Sequence, residues 1–124
     1  AVYVKQEMNI VTVLCGTGHA IGCSTAAVTA YIKEASRSKI KESINTYLAT
    51  SMGFICDGAK LSCTHKVSFA AMNGMIAAKL VLDNEQTCDG TGLNKTDIDA
   101  TIKNLGKLNN EIMHSVNKGI IDLI

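Results

Sequence analysis

Ser62-Cys63-Thr64-His65-Lys66-Val67-Ser68-Phe69-Ala70-Ala71-Met72-Asn73-Gly74-Met75-Ile76-Ala77-Ala78-Lys79-Leu80-Val81-Leu82 reads as one long helix. Ser62 or Thr64 is placed to cap it, and Val67, Ala71, Met75, Ala78 and Leu82 line up at helical spacing. The chain has 124 residues and no proline, so the strongest helix breaker is missing throughout. The same period recurs on both sides of this stretch. Upstream, Ile40, Ile44, Tyr47 and Leu48 mark a helix ending near Gly53, and Ser24 is placed to cap one carrying Ala27, Ala30, Tyr31 and Glu34. Val4, Met8, Val11 and Leu14 step along one face of an opening segment, although Ile10 to Leu14 alone also suits a short strand. Downstream, Thr96-Asp97-Ile98-Asp99 combines a cap with early acids. Ile98, Ile102 and Leu105 then form a stripe that Ile112, Val116 and Ile120 are expected to continue. Breaks fall at Cys15–Gly22, Gly53–Lys60 and Asp83–Lys95. The expected architecture is a single all-α domain over residues 1–124: a compact helical bundle with a glycine-rich cysteine loop and a second cysteine loop.

Composition narrows the function. Twelve Lys+Arg against eleven Asp+Glu give a formal charge of +1, and there are only two Phe, three Tyr and no Trp. Such a chain offers neither an electrostatic footprint for nucleic acid nor a stacking platform for bases. No apolar run approaches a membrane span. Apolar residues make up 47% of the chain, enough to bury a core. The N-terminal Ala1-Val2-Tyr3-Val4-Lys5-Gln6-Glu7 has no secretory leader pattern and no initiator Met, so a processed or truncated product is expected. Five cysteines cannot all pair with one another. A reducing cytoplasm is therefore expected, with thiols free or ligating a metal.

Four of the five cysteines lie in two of the breaks or beside them. Cys15-Gly16-Thr17-Gly18-His19-Ala20-Ile21-Gly22 has the glycine density of a dinucleotide loop but the wrong spacing, with no βαβ context. It reads as a tight turn, or as a loop that binds another anion or bends around a metal cluster. Cys23 follows it at a helix start, where a thiolate is favoured, but packing is the simpler reading. Cys56 and Cys63 are separated by six residues, too many for a zinc knuckle, whereas iron–sulfur clusters accept irregular spacing. On spacing alone, two ordinary buried cysteines are the favoured reading. Lys60 and Lys66 would favour thiolates and balance cluster or substrate charge. His19 and His65 each stand near a cysteine, as ligands, acid–base groups or satisfied polar residues. His114 reads as surface or cap, Cys88 as an incidental loop thiol, and Met52, Met72 and Met75 as core.

Ile55-Cys56-Asp57-Gly58-Ala59-Lys60-Leu61-Ser62-Cys63, followed by Lys66, closely resembles the I-C-D-G-A-K-x-x-C-x-x-K stretch of the L-cysteine desulfidase family, within the superfamily of the iron–sulfur L-serine dehydratase alpha chain. Gly16-Thr17-Gly18-His19 resembles that family's G-[S/T]-G-[N/H] loop, and Thr101-Ile102-Lys103-Asn104-Leu105-Gly106-Lys107 its closing T-I-x-N-[L/I]-G-[R/K] helix. The resemblance runs from about Leu14 to the end of the chain. It implies a [4Fe-4S] cluster held by three cysteines with one iron open. Cys56 and Cys63 are two of the implied ligands, and the third is Cys15, with Cys23 the alternative. It further implies β-elimination from a small amino acid, giving pyruvate and ammonia, with sulfide released from cysteine or water from serine. Gly16, Thr17, Gly18, His19, Lys60 and Lys66 are the implied substrate-binding residues. The family's catalytic cysteine, in a G-C-T-E-P segment, has no counterpart here. The chain is thus expected to be the C-terminal, cluster-binding part of a longer enzyme, inactive without the rest. Exposed apolar helix faces would favour self-association or contact with that remainder. The competing reading is a non-catalytic helical domain for assembly or regulation, its cysteines inert or holding a structural metal.

Overall fold

The computed structural model describes residues 1–10, 12–85 and 90–123, and over these the chain is all-α. Six α-helices follow one another: α1 (Val2–Met8), α2 (Gly16–Ile32), α3 (Arg37–Ser51), α4 (Cys63–Leu82), α5 (Ile98–Lys107) and α6 (Val116–Ile121). A π-helical turn, Leu108–Ile112, joins α5 to α6. Among the described residues the only β pairing is an isolated antiparallel bridge between Leu14 and Ile55. No described helix is long and apolar enough to cross a membrane.

Helices α2 and α4 pair most extensively, and α3 packs across both. Their contact is made of small residues. Gly22, Ala26 and Ala30 on α2 are buried, as are Ala70, Gly74, Ala77 and Ala78 on α4. A Cβ on Gly74 would fall onto the backbone oxygen of Gly22, and one on Gly22 would overlap the Tyr47 ring from α3. Glycine at both places is what lets the backbones approach this closely. Tyr47 is fully buried and donates its hydroxyl to the Gly18 carbonyl at 2.9 Å; burial pushes the phenol up to about 12.

Helices α1 and α5 form a second layer. Val4 and Met8 join Ile98, Ile102 and Leu105 in the same core as Leu14, Tyr47 and Leu48. Asp97 caps α5 by accepting from the Ala100 N–H. Thr101, fully buried, takes the Lys95 N–H at 2.8 Å, and Asn104 donates to the Leu93 carbonyl. Gly106 is buried where a Cβ would meet the Glu7 carbonyl.

Several elements depart from the sequence expectation. The opening helix stops at Met8, because Asn9 turns left-handed (φ 72°) and its own carboxamide oxygen accepts from the Ile10 N–H. The glycine-rich segment is no loop: Gly16 begins α2, Cys15 is its N-cap, and Ser24 lies inside the helix, donating back to the Ala20 carbonyl. On α4 the buried stripe is Ala70, Gly74, Ala77, Ala78 and Val81, so Met72 and Met75 are exposed rather than core. After α5, the wider π-turn shifts the helical register. Ile112 and Val116 consequently face outward.

Candidate functional site

The two connections that bear cysteines meet side by side. The Cys15 N–H donates to the Phe54 carbonyl at 2.6 Å and the Cys56 N–H to the Val13 carbonyl at 2.7 Å, flanking the Leu14–Ile55 bridge. Cys15 and Cys56 thereby become cross-strand diagonal neighbours. Asn109, buried in the π-turn, fixes this strand from behind: its carboxamide oxygen accepts from the Leu14 N–H at 3.0 Å and its amide donates to the Met8 carbonyl at 2.9 Å.

Cys63 is the first residue of α4. Its sulfur accepts from the Lys60 N–H at 3.4 Å and donates towards the Gly58 carbonyl at 3.6 Å, so the loop curls back on itself. Gly58, at φ 93°, makes the turn that this needs. Cys15 and Cys63 thus sit at two helix N-termini, where backbone N–H groups favour negative charge. Cys15, Cys56 and Cys63 are all partly exposed. The Cys15 sulfur packs over Gly18, where a Cβ would lie 3.2 Å from it.

Cys23 has a different environment. It is 3% exposed inside the core, and burial pushes its thiol up to about 12, so it stays protonated at neutral pH. Cys88 lies outside the described residues.

Two lysines and one acid brace the loop. Lys66 donates to the Ile55 carbonyl at 3.0 Å and to one Asp57 carboxylate oxygen at 2.9 Å, while Lys60 pairs with the other oxygen. Lys60 first and Lys66 second hold the Asp57 carboxyl well below the usual carboxylate range. Asp57 in turn raises Lys66, and negative charge on Cys15 and Cys56 acts in the same direction.

His19 is fully buried behind Cys15, with Nδ1 2.9 Å from the Cys15 carbonyl and Nε2 2.9 Å from the Ser51 carbonyl. Burial lowers its pKa, against the pull of the two carbonyls. It is held by backbone and does not reach the exposed side of the cysteines. Gly16 and Gly18 are buried and Thr17 is exposed in the first turn of α2, whose Cys15 cap makes no side-chain hydrogen bond. His65 and His114 are exposed.

Among the described residues, no three His, Cys, Asp or Glu side chains converge to hold a single metal ion. The cysteines of an iron–sulfur cluster bind different irons and need not meet at one point. Cys15 and Cys56 on paired segments, and Cys63 at the start of α4, are partly exposed thiols of the type such a cluster takes. Reading the sequence missed Asp57 and Asn109. Asp57 was hidden as half of an Asp-Gly turn, though lysines three and nine residues on were its signal; Asn109, remote in sequence, gave none.

The serine dehydratase alpha chain family matches residues 1–122. A UPF0597 protein of Thermosipho africanus is 31% identical over 123 residues, which are 99% of this chain and 30% of that protein. A UPF0597 protein of Caldanaerobacter subterraneus subsp. tengcongensis is 32% identical over 122 residues, 98% of this chain and 29% of that protein. The chain thus spans under a third of the length of these relatives. No solved structure matches.

Proposed function

Because the chain belongs to the serine dehydratase alpha chain family, we propose that it is the cluster-binding part of a β-eliminating ammonia-lyase, taking a small amino acid to pyruvate and ammonia with release of sulfide or water. The observation that supports this reading is the backbone pairing that sets Cys15 and Cys56 side by side near Lys66, with Cys63 partly exposed at the start of α4. A [4Fe-4S] cluster with one open iron, when bound, supplies a Lewis acid for the substrate's carboxylate and leaving group.

The chain's own residues have separable roles. Cys15, Cys56 and Cys63 hold the cluster, and Cys15 is preferred to Cys23 because the latter is a buried, protonated thiol. Lys66 offsets the negative charge of the thiolates. Asp57 fixes Lys60 and Lys66 so that both cations stay on the cysteine loop. Backbone N–H groups of Gly16, Thr17 and Gly18 receive the substrate carboxylate at the N-terminus of α2. His19 anchors the Cys15 carbonyl from inside and acts on substrate only through that cysteine. Removal of the α-proton falls to residues in the remaining two thirds of the relatives' length. L-cysteine is the first substrate to try, by the likeness of Ile55-Cys56-Asp57-Gly58-Ala59-Lys60.

The test is iron and acid-labile sulfide per chain after anaerobic reconstitution, on the parent and on Cys15→Ser, Cys23→Ser, Cys56→Ser and Cys63→Ser. About four irons per chain are expected, as a cubane cluster requires. They should be lost in the Cys15, Cys56 and Cys63 variants and kept in Cys23→Ser. If a folded parent, also reconstituted with the rest of the enzyme, takes up no iron, the competing reading of a non-catalytic helical domain stands instead.

A further inference from the structure

Helix α4 carries large apolar side chains on a face that none of the described residues covers. Phe69 is 60% exposed, Met72 51% and Ile76 53%, and Leu80 completes a stripe at three- and four-residue spacing. Ile76 and Leu80 also line a groove of about 140 Å³ between α4 and α3, with Thr46, Thr50 and Asn73 at its sides. The opposite face of α4 is already packed through Ala70, Gly74, Ala77 and Ala78. Aromatic residues and methionine clustered on one exposed stripe are what an interface core is made of, not a solvated helix face.

We propose that this α3–α4 face is the seat of the remainder of the family polypeptide, the roughly two thirds of the relatives' length that these residues do not span. The match covers nearly all of this chain but only 29–31% of relatives such as those of Thermosipho and Caldanaerobacter. In such relatives more than twice this chain's own length lies outside the match, and an unpartnered apolar helix stripe is where packing against it would exclude water. Its occupant presents apolar side chains: within Phe69–Leu80 the only charged residue is Lys79. The stripe begins six residues after Cys63, about 9 Å along the helix axis at 1.5 Å per residue. A remainder seated there also borders the cysteines and can reach what they hold. The assignment rests on family membership and exposure, and does not depend on whether a cluster binds.

Hydroxyl-radical footprinting tests it, on the 124-residue chain alone and on the same residues joined to, or co-expressed with, the unmatched part of the Thermosipho africanus relative. Oxidation of Phe69 and Met72 is expected to fall about tenfold only when the remainder is present, as for residues in a water-excluding interface core. Tyr31, 73% exposed at the end of α2, serves as the control and should not change. Ile76→Lys and Leu80→Lys should leave the melting temperature of the isolated chain unchanged and lower that of the joined form. Equal oxidation of Phe69 and Met72 in both forms overturns the proposal. So does failure of the two pieces to associate, or a melting loss already present in the isolated chain. Protection of the isolated chain that grows with its concentration overturns it in favour of a second copy.

Discussion

Helices α5 and α4 put their large side chains on opposite sides of the same problem. In α5 the bulky residues Ile98, Ile102 and Leu105 point into the core and the charges Asp99, Lys103 and Lys107 point out. In α4 the buried face is alanine and glycine with Val81 at its end, and the bulky Phe69, Met72 and Ile76 are outside. A helix that meets its neighbours through side chains needs large ones inside; a helix that meets them through backbone needs small ones there. Helix α4 belongs to the second kind, because Gly22 and Gly74 bring it against α2. What its outer face then displays is surplus to this domain's own core.

That contrast makes graded predictions for urea unfolding. Leu105→Ala, which empties a fully buried site of α5, should cost about 2–5 kcal/mol. Gly22→Ala adds a single methyl group at the α2–α3 contact and should still cost about 1–3 kcal/mol, because the Tyr47 ring has nowhere to move. A neutral result there would show that the α2–α3 approach at Tyr47 is slack. Asp97→Ala, which removes the α5 cap, should cost about 1 kcal/mol. Ile76→Ser, although it removes a bulky apolar side chain, should stay within about 0.5 kcal/mol of the parent in the isolated chain. A loss from Ile76→Ser as large as that from Leu105→Ala would erase the distinction between the two helices.

The same distinction explains what could be read from the sequence. The α5 stripe and the presence of a cap at its start were legible because bulk, period and polarity agree there, although the capping residue is Asp97, one of the acids read as lying inside the helix. The α4 helix was legible as a helix, but its inward face was misjudged, because the pattern rule weighs Met75 above Gly74 when the packing weighs them the other way. The glycines after Cys15 looked like a loop for a related reason. Glycine normally weakens a helix, yet Gly18 and Gly22 are set in α2 by contacts with Cys15, Phe54 and Tyr47, which lie elsewhere in the chain or on another helix. The early stop at Asn9 and the π-turn at Leu108–Ile112 depend on backbone hydrogen bonds that side-chain periodicity does not encode. Of the candidate site, the cysteines and lysines were named in advance. Their meeting depends on two backbone hydrogen bonds between Val13–Cys15 and Phe54–Cys56, which no spacing rule supplies.

The Asn109 side chain closes the Met8–Leu14 segment from 95 and 101 positions away. Contacts of such sequence separation form late, since the loop entropy must be overcome before they contribute. On a ribosome, the strand that carries Cys15 can pair with Phe54–Cys56 early, but its Asn109 contacts form only after the residues beyond α5 have left the exit tunnel. Helices α2 to α4 are complete in sequence by Leu82. The order of assembly is thus a helical frame first and the Asn109 clasp on the cysteine strand last, and whatever needs that clasp must wait for the residues up to Asn109 to be made.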